Sequence, residues 1–229
     1  YAGTIMWVAI SVGIGLRAAT QAVVARRLGQ EIYDECGTSL RNGQLLCLLI
    51  ALPLSLCGYF FIDNISPYLP FKDDVRLLCV EYISIASFSI YFTVASFIFV
   101  GFYTGIEKTK ILLYITVASN LLNVYLNAAF IYGTPQINDY FDSHGISWMS
   151  NLWAWKYFPV PENPIGGAAW ATVISSVFMM LSYFIYLFNA QIRKRYKVFR
   201  FKFNLKMIYK QISIGYPIAL SDFFMTTAF

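Results

Sequence analysis

Residues 77–103 read LLCVEYISIASFSIYFTVASFIFVGFY, with Glu81 as the only charge. At 1.5 Å per residue, a helix over this stretch reaches about 40 Å, more than the ~30 Å hydrocarbon layer of a bilayer. A continuous apolar run fits a helix, which satisfies its own backbone; a barrel strand would alternate apolar and polar positions. Working outward, further apolar runs lie at about 2–25, 43–63, 111–132, 166–190 and 212–229. The expected fold class is an all-α polytopic membrane protein with six transmembrane helices.

Composition agrees. Mean hydropathy is +0.58, 58% of residues are hydrophobic and 13% are charged, values outside the range of a soluble domain. Basic residues then set the orientation. Arg26, Arg27 and Arg41 flank the first connection, and Lys108 and Lys110 the third. The fifth holds Arg193, Lys194, Arg195, Lys197, Arg200, Lys202, Lys206 and Lys210, against only Lys72, Arg76 and Lys156 in the second and fourth. Odd connections are therefore cytoplasmic and even ones external. The net charge of +5 reflects this topology and not nucleic-acid binding. Because the chain opens at Tyr1 inside one apolar run and closes at Phe229 inside another, it is expected to be a fragment.

Cys36 is expected in a cytoplasmic connection, and Cys47, Cys57 and Cys79 in apolar helices. With no CxxC and one histidine, His144, in an external loop, neither a metal site nor a disulfide framework is expected. An integral membrane enzyme would need clustered His, Asp or Glu at the interface, so the chain is not expected to be an enzyme.

Several polar residues interrupt the apolar helices. Arg17 lies nine residues before Arg26, about 13 Å deeper, where a charge costs at least ~2.5–3.5 kcal/mol. It either snorkels or faces a water-filled cavity. Asn120, Asn123 and Asn127 recur at i, i+3 and i+7 and share one helical face. Three amides in a stripe must face protein or water, as an interhelical hydrogen-bond ladder or as the wall of a pathway. Asp222 sits twelve residues beyond Lys210, about 18 Å into the membrane, and follows Pro217, which interrupts local backbone bonding. A carboxylate at that depth is a functional candidate or a structural partner, Arg17 being one possibility. Pro53 is a plausible kink.

Small residues at Gly13, Gly15, Ala18, Ala19 and Ala22, at Gly101 and Gly105, and at Gly167, Ala168, Ala169 and Ala171 favour close helix packing. Residues 133–165 are expected to form a long external loop whose Trp148, Trp153, Trp155, Tyr157 and Phe158 anchor at the interface. Phe199, Phe201, Phe203 and Leu205 alternate with Arg200, Lys202, Asn204 and Lys206, a period of two that predicts a short extended segment on the membrane surface.

Taken in order, GIG (13–15) with VARRLG (24–29), GFYTGIEKTK (101–110), NVYLNAAFIYG (123–133), NPIGGAAWATVIS (163–175) and SIGYP (213–217) resemble the multidrug and toxic compound extrusion (MATE) transporters. The resemblance covers family helices two to seven. It implies a twelve-helix protein of two six-helix lobes that expels organic cations in exchange for protons or sodium ions, by alternating access, from a plasma membrane, here the cytoplasmic membrane of a bacterium. No cofactor beyond the coupling H+ or Na+ is implied, and the full-length protein is expected to work as a monomer. In this scheme residues 1–190 belong to the amino-terminal lobe, 191–211 form a basic inter-lobe linker and 212–229 begin the carboxy-terminal lobe.

Two positions depart from the family pattern. Members often carry an Asn followed four residues later by an Asp; here the pair is Asn123 and Asn127, and an amide cannot carry the proton. Some members place a Glu eight residues after the helix-seven Pro, where this chain has Met225, with Asp222 nearly one turn earlier. A lipid-linked oligosaccharide or peptidoglycan-precursor flippase of the same superfamily is the alternative. It would need a basic cavity, and Arg17 is the one mid-membrane cation visible.

Overall fold

The computed structural model describes residues 2–68, 73–152, 160–200 and 203–227. Lys72, Trp153, Trp155, Lys156, Tyr157, Phe158, Phe201 and Lys202 fall outside the described residues. The first long helix, α1 (Ala2–Gly29), meets α2 (Tyr33–Ile65) through a tight turn; a 3-10 turn at Ser66–Tyr68 follows, then α3 (Asp73–Gly105) and α4 (Thr109–Ser143). A short α5 (Trp148–Leu152), the long α6 (Pro164–Tyr186), a short α7 (Ala190–Tyr196) and α8 (Leu205–Thr227) complete the order.

The two cytoplasmic hairpin turns are built alike. Ile32 N donates to Arg27 O at 3.0 Å and Lys108 N to Tyr103 O at 2.8 Å, each one step past a left-handed glutamate, Glu31 and Glu107. Bonds of this reach satisfy the last carbonyls of α1 and α3 and close both turns in very few residues.

Among the described residues, α1, α2, α3, α4 and α6 are long and apolar enough to cross a membrane. The expected sixth span, α8, falls short of that apolarity because Lys206, Lys210 and Asp222 lie within it. At 23 residues it still reaches about 34 Å and packs along α1 and α2. The helices pack in the series α8–α1–α3–α6–α4, with α2 against α1 and α3.

The small residues explain the closeness of that packing. A Cβ on Gly215 would stand 3.0 Å from the Gly15 carbonyl oxygen, so α1 and α8 meet backbone to backbone. Gly13 faces Val94 and Phe97 of α3. At the start of α6 the sequence NPIGG acts as a helix signal: Asn163 Oδ1 accepts from Gly166 N at 3.0 Å and Pro164 occupies the first turn.

Three expectations need correction. Residues 133–165 are not one loop, because α4 resumes beyond a break at Gly133 and runs to Ser143. Gly133 takes φ 71° and ψ 162°, a conformation that suits glycine, and Thr134 then exchanges bonds with Val160 (N to O and N to Oγ1, both 3.1 Å). Cys36 lies buried inside α2, not in a connection, since Asp34 and Glu35 in the first turn start that helix well before the apolar run. The segment read as extended is not so throughout: Phe199 and Arg200 lie in a turn after α7, and α8 starts at Leu205, where Asn204 Oδ1 accepts from Met207 N at 3.3 Å. Pro53 sits inside a continuous α2.

Candidate transport site

The polar groups expected at mid-membrane divide between two distant seams. Asp222 belongs to the α1–α8 seam. It lies seven residues, about 10 Å, to the external side of the Gly15–Gly215 contact. The residue is half-buried, and its Oδ2 is buried with no hydrogen-bond donor among the described residues. Its carbonyl accepts from Thr226 Oγ1 at 2.9 Å.

Arg17 does not pair with it. The Arg17 backbone packs against Gly101 of α3, where a Cβ would collide with the Arg17 carbonyl, and the side chain is exposed. Two residues to the cytoplasmic side of Gly15, it stands about 13 Å from Asp222 along the seam. Three ion pairs lie at the cytoplasmic end: Arg27–Glu35 at 2.6 Å, Lys197–Asp34 at 2.7 Å and Arg200–Asp34 at 3.6 Å.

The asparagines belong to α4, at the far end of the packing series. Asn127 Nδ2 donates to Asn123 Oδ1 at 2.9 Å, and both residues are half-buried. This bond runs along one helix, so the pair is not an interhelical ladder. The cross-link to α6 comes from the neighbouring Ser119, whose Oγ donates to Ser175 O at 3.0 Å. Asn120 is exposed. The fold therefore brings Asn123 and Asn127 together and leaves Asn120, Arg17 and Asp222 apart from them.

Sequence reasoning missed a buried polar knot joining α1, α2 and α8. Gln211, fully buried, donates through Nε2 to Ser39 O and Ser39 Oγ, both at 3.0 Å, and to Thr20 Oγ1 at 3.3 Å. Beside it Asn42 Nδ2 donates to Asn204 O at 3.2 Å. A lone amide immediately before SIGYP was the available signal; Gln211 lies at the edge of the apolar run and so reads as surface.

The basic segment also proves to be docked. Arg41 Nη1 donates to the carbonyls of Lys197 (2.8 Å) and Val198 (2.9 Å), and Asp34 holds Lys197 and Arg200. Arg195 sits 4.4 Å from the Tyr33 ring centroid, a cation–π contact. Tyr196 packs edge-on against Tyr33 and Phe102, and burial there pushes its phenol above the ordinary value.

Comparison with known proteins fits this frame. The MatE family model matches residues 1–129. The chain belongs to the MatE family. Along its length it is similar to two proteins named probable multidrug resistance protein NorM. The one from Agrobacterium fabrum is 24% identical over 100% of this chain and 44% of its own length; that from Bacillus subtilis is 23% identical over 99% and 46%. The inward-facing structure of a multidrug resistance MATE family transporter of the MOP superfamily aligns with a TM-score of 0.76 at 20% identity, over 98% of this chain and 45% of that one. A MATE structure in the bent conformation gives 0.70, also at 20%. This MatE chain thus spans less than half the length of the relatives it matches, and it carries the fold of about half a MATE transporter. Family membership accords with the long apolar helices of a multi-pass membrane protein.

Proposed function

We propose that the chain is part of a secondary active efflux transporter that exports organic cations and drugs in exchange for H+ or Na+. Residues 1–190 form most of the amino-terminal lobe, 191–211 join the lobes and 212–229 open the second; the whole works as a monomer in a bacterial cytoplasmic membrane. The observation that carries this reading is Asp222. Its carboxylate oxygen is buried in a proline-interrupted helix, at a depth of about 18 Å from Lys210, and has no donor among the described residues. A structural carboxylate would be expected to have a partner.

In this mechanism Asp222 attracts the coupling ion or the cationic substrate, and Asn123 and Asn127 supply amide oxygens and N–H groups to a ligand in the other seam. Arg17 and Asn120, both exposed, face the pathway. Ion and drug favour different states of an outward-open to inward-open equilibrium, so each needs differential affinity for the two. One charge crossing 100 mV supplies ~2.3 kcal/mol, roughly a fifty-fold concentration ratio.

The test uses the full-length protein in cells lacking their own efflux pumps, loaded with a fluorescent organic cation. Parent cells should accumulate less than controls, and Asp222→Asn, at equal membrane abundance, should lose that difference. Equal accumulation by parent and control across several cations would overturn cation efflux and favour lipid-linked precursor flipping.

A further inference from the structure

A groove outside the two polar seams lies between α2, α3 and α6 at the cytoplasmic side and is roofed by the segment after α7. Its volume is about 600 Å3, and its walls include Leu45, Leu48, Tyr91, Phe99, Leu181 and Phe184. From Arg41 to Leu48 it extends about 10 Å along the helix axis. Leu48, Leu181 and Phe184 are all exposed, so the groove opens toward the bilayer.

One charge stands in this apolar wall. Arg41 lines the groove with no carboxylate at ion-pair distance among the described residues, and Asp34 lies within electrostatic reach of it. Its Nη1 donates to two carbonyls and its Nη2 to Thr38 Oγ1 at 2.9 Å, which leaves one Nη2 N–H for a further acceptor. Lys197 and Arg200 share Asp34 at the same rim, while Glu35 is taken by Arg27. Three cations therefore answer to one carboxylate, and Arg200 is within electrostatic reach of Arg41. A rim with three cations around one carboxylate, beside a deep apolar slot, is complementary to a group that joins an anion to a hydrocarbon chain.

Position selects the source. The basic connections put this rim at the cytoplasmic interface, where anionic lipid is abundant and basic rims between helices attract its head groups. A zwitterionic lipid would bring a further cation to a rim already in excess. We propose that the groove binds one anionic phospholipid of the cytoplasmic leaflet, with an acyl chain between α2, α3 and α6 and its phosphate at Arg41 and Arg200. The site is independent of the transport reading, because its readout is lipid binding.

The experiment photolabels the full-length protein with phosphatidylglycerol carrying a diazirine in one acyl chain, against phosphatidylcholine with the same chain, and maps the adducts by mass spectrometry. Phosphatidylglycerol should label residues 44–48 and 180–184 severalfold more than phosphatidylcholine. Arg200→Gln, at an exposed position that leaves packing untouched, should weaken labelling about fivefold, the effect of one interfacial charge. Leu48→Trp, which fills the slot and keeps every charge, should abolish it. Glycerophosphate, a head group without a chain, should not compete. Equal labelling by the two lipids, insensitivity to both substitutions, competition by glycerophosphate, or a cross-link from the groove to another protein segment would each overturn the proposal.

Discussion

The cytoplasmic end of the bundle and its mid-membrane seams differ in how far their polar groups reach between segments. At the cytoplasmic end Asp34, Tyr33, Gln211 and Tyr196 are bonded or packed to segments far apart in the chain, although Gln211 Oε1, Asn42 Oδ1 and Arg41 Nε are buried without a partner among the described residues. At mid-membrane the polar groups are sparsely bonded. Asp222 Oδ2 has no donor, Asn123 and Asn127 bond chiefly to each other, and Arg17 and Asn120 are exposed. In a low-dielectric medium an unsatisfied polar group is costly. The cytoplasmic polar residues tie distant segments together, whereas the mid-membrane ones make few such ties.

Substitutions can break or sharpen that contrast. The largest loss of stability is expected from Tyr196→Ala, which removes a buried aromatic anchor and should cost about 3 kcal/mol. It would appear as a lower thermal midpoint of the full-length protein, with transport retained by molecules that remain folded. Gln211→Leu comes next. It strips Ser39 and Thr20 of a shared donor at the inner edge of the membrane, and a loss of about 1 kcal/mol is expected on the same assay. Asn123→Ala should be the mildest for stability, about 0.6 kcal/mol for one intramembrane hydrogen bond, yet it should lower cation efflux severalfold. If Asn123→Ala left efflux intact and shifted the midpoint as far as Tyr196→Ala, the division of labour would collapse.

Much of this was legible in the chain itself, for reasons specific residues make plain. Helix α3 is readable from end to end because its apolar run is nearly uncharged. The start of α6 is readable because NPIGG carries both a capping side chain and a first-turn proline. The second part of α4 was not readable, because Gly133 and Pro135 look like a helix stop, and only the bonds between Thr134 and Val160 reveal a break that the helix survives. Alternation in the basic segment pointed to an extended ribbon, but Asn204 caps a helix there and its partner Asn42 lies far away in sequence. As for the candidate site, sequence depth singled out Asp222 and spacing paired Asn123 with Asn127. Neither depth nor spacing carries azimuth between helices, so the proposed Asp222–Arg17 partnership failed.

The sequence alone determined the membrane character, the orientation and the polar residues that interrupt each helix, because hydrophobic length and loop charge act locally and need no knowledge of neighbours. Tertiary structure alone decided which of those residues meet. It placed Asp222 and the asparagine pair in separate seams, docked the basic segment on Asp34 and Arg41, and gathered Arg41, Lys197 and Arg200 around one carboxylate. Those outcomes depend on how glycines let α1, α3 and α8 approach, and helix rotation about a backbone contact is set by packing between segments far apart in the chain.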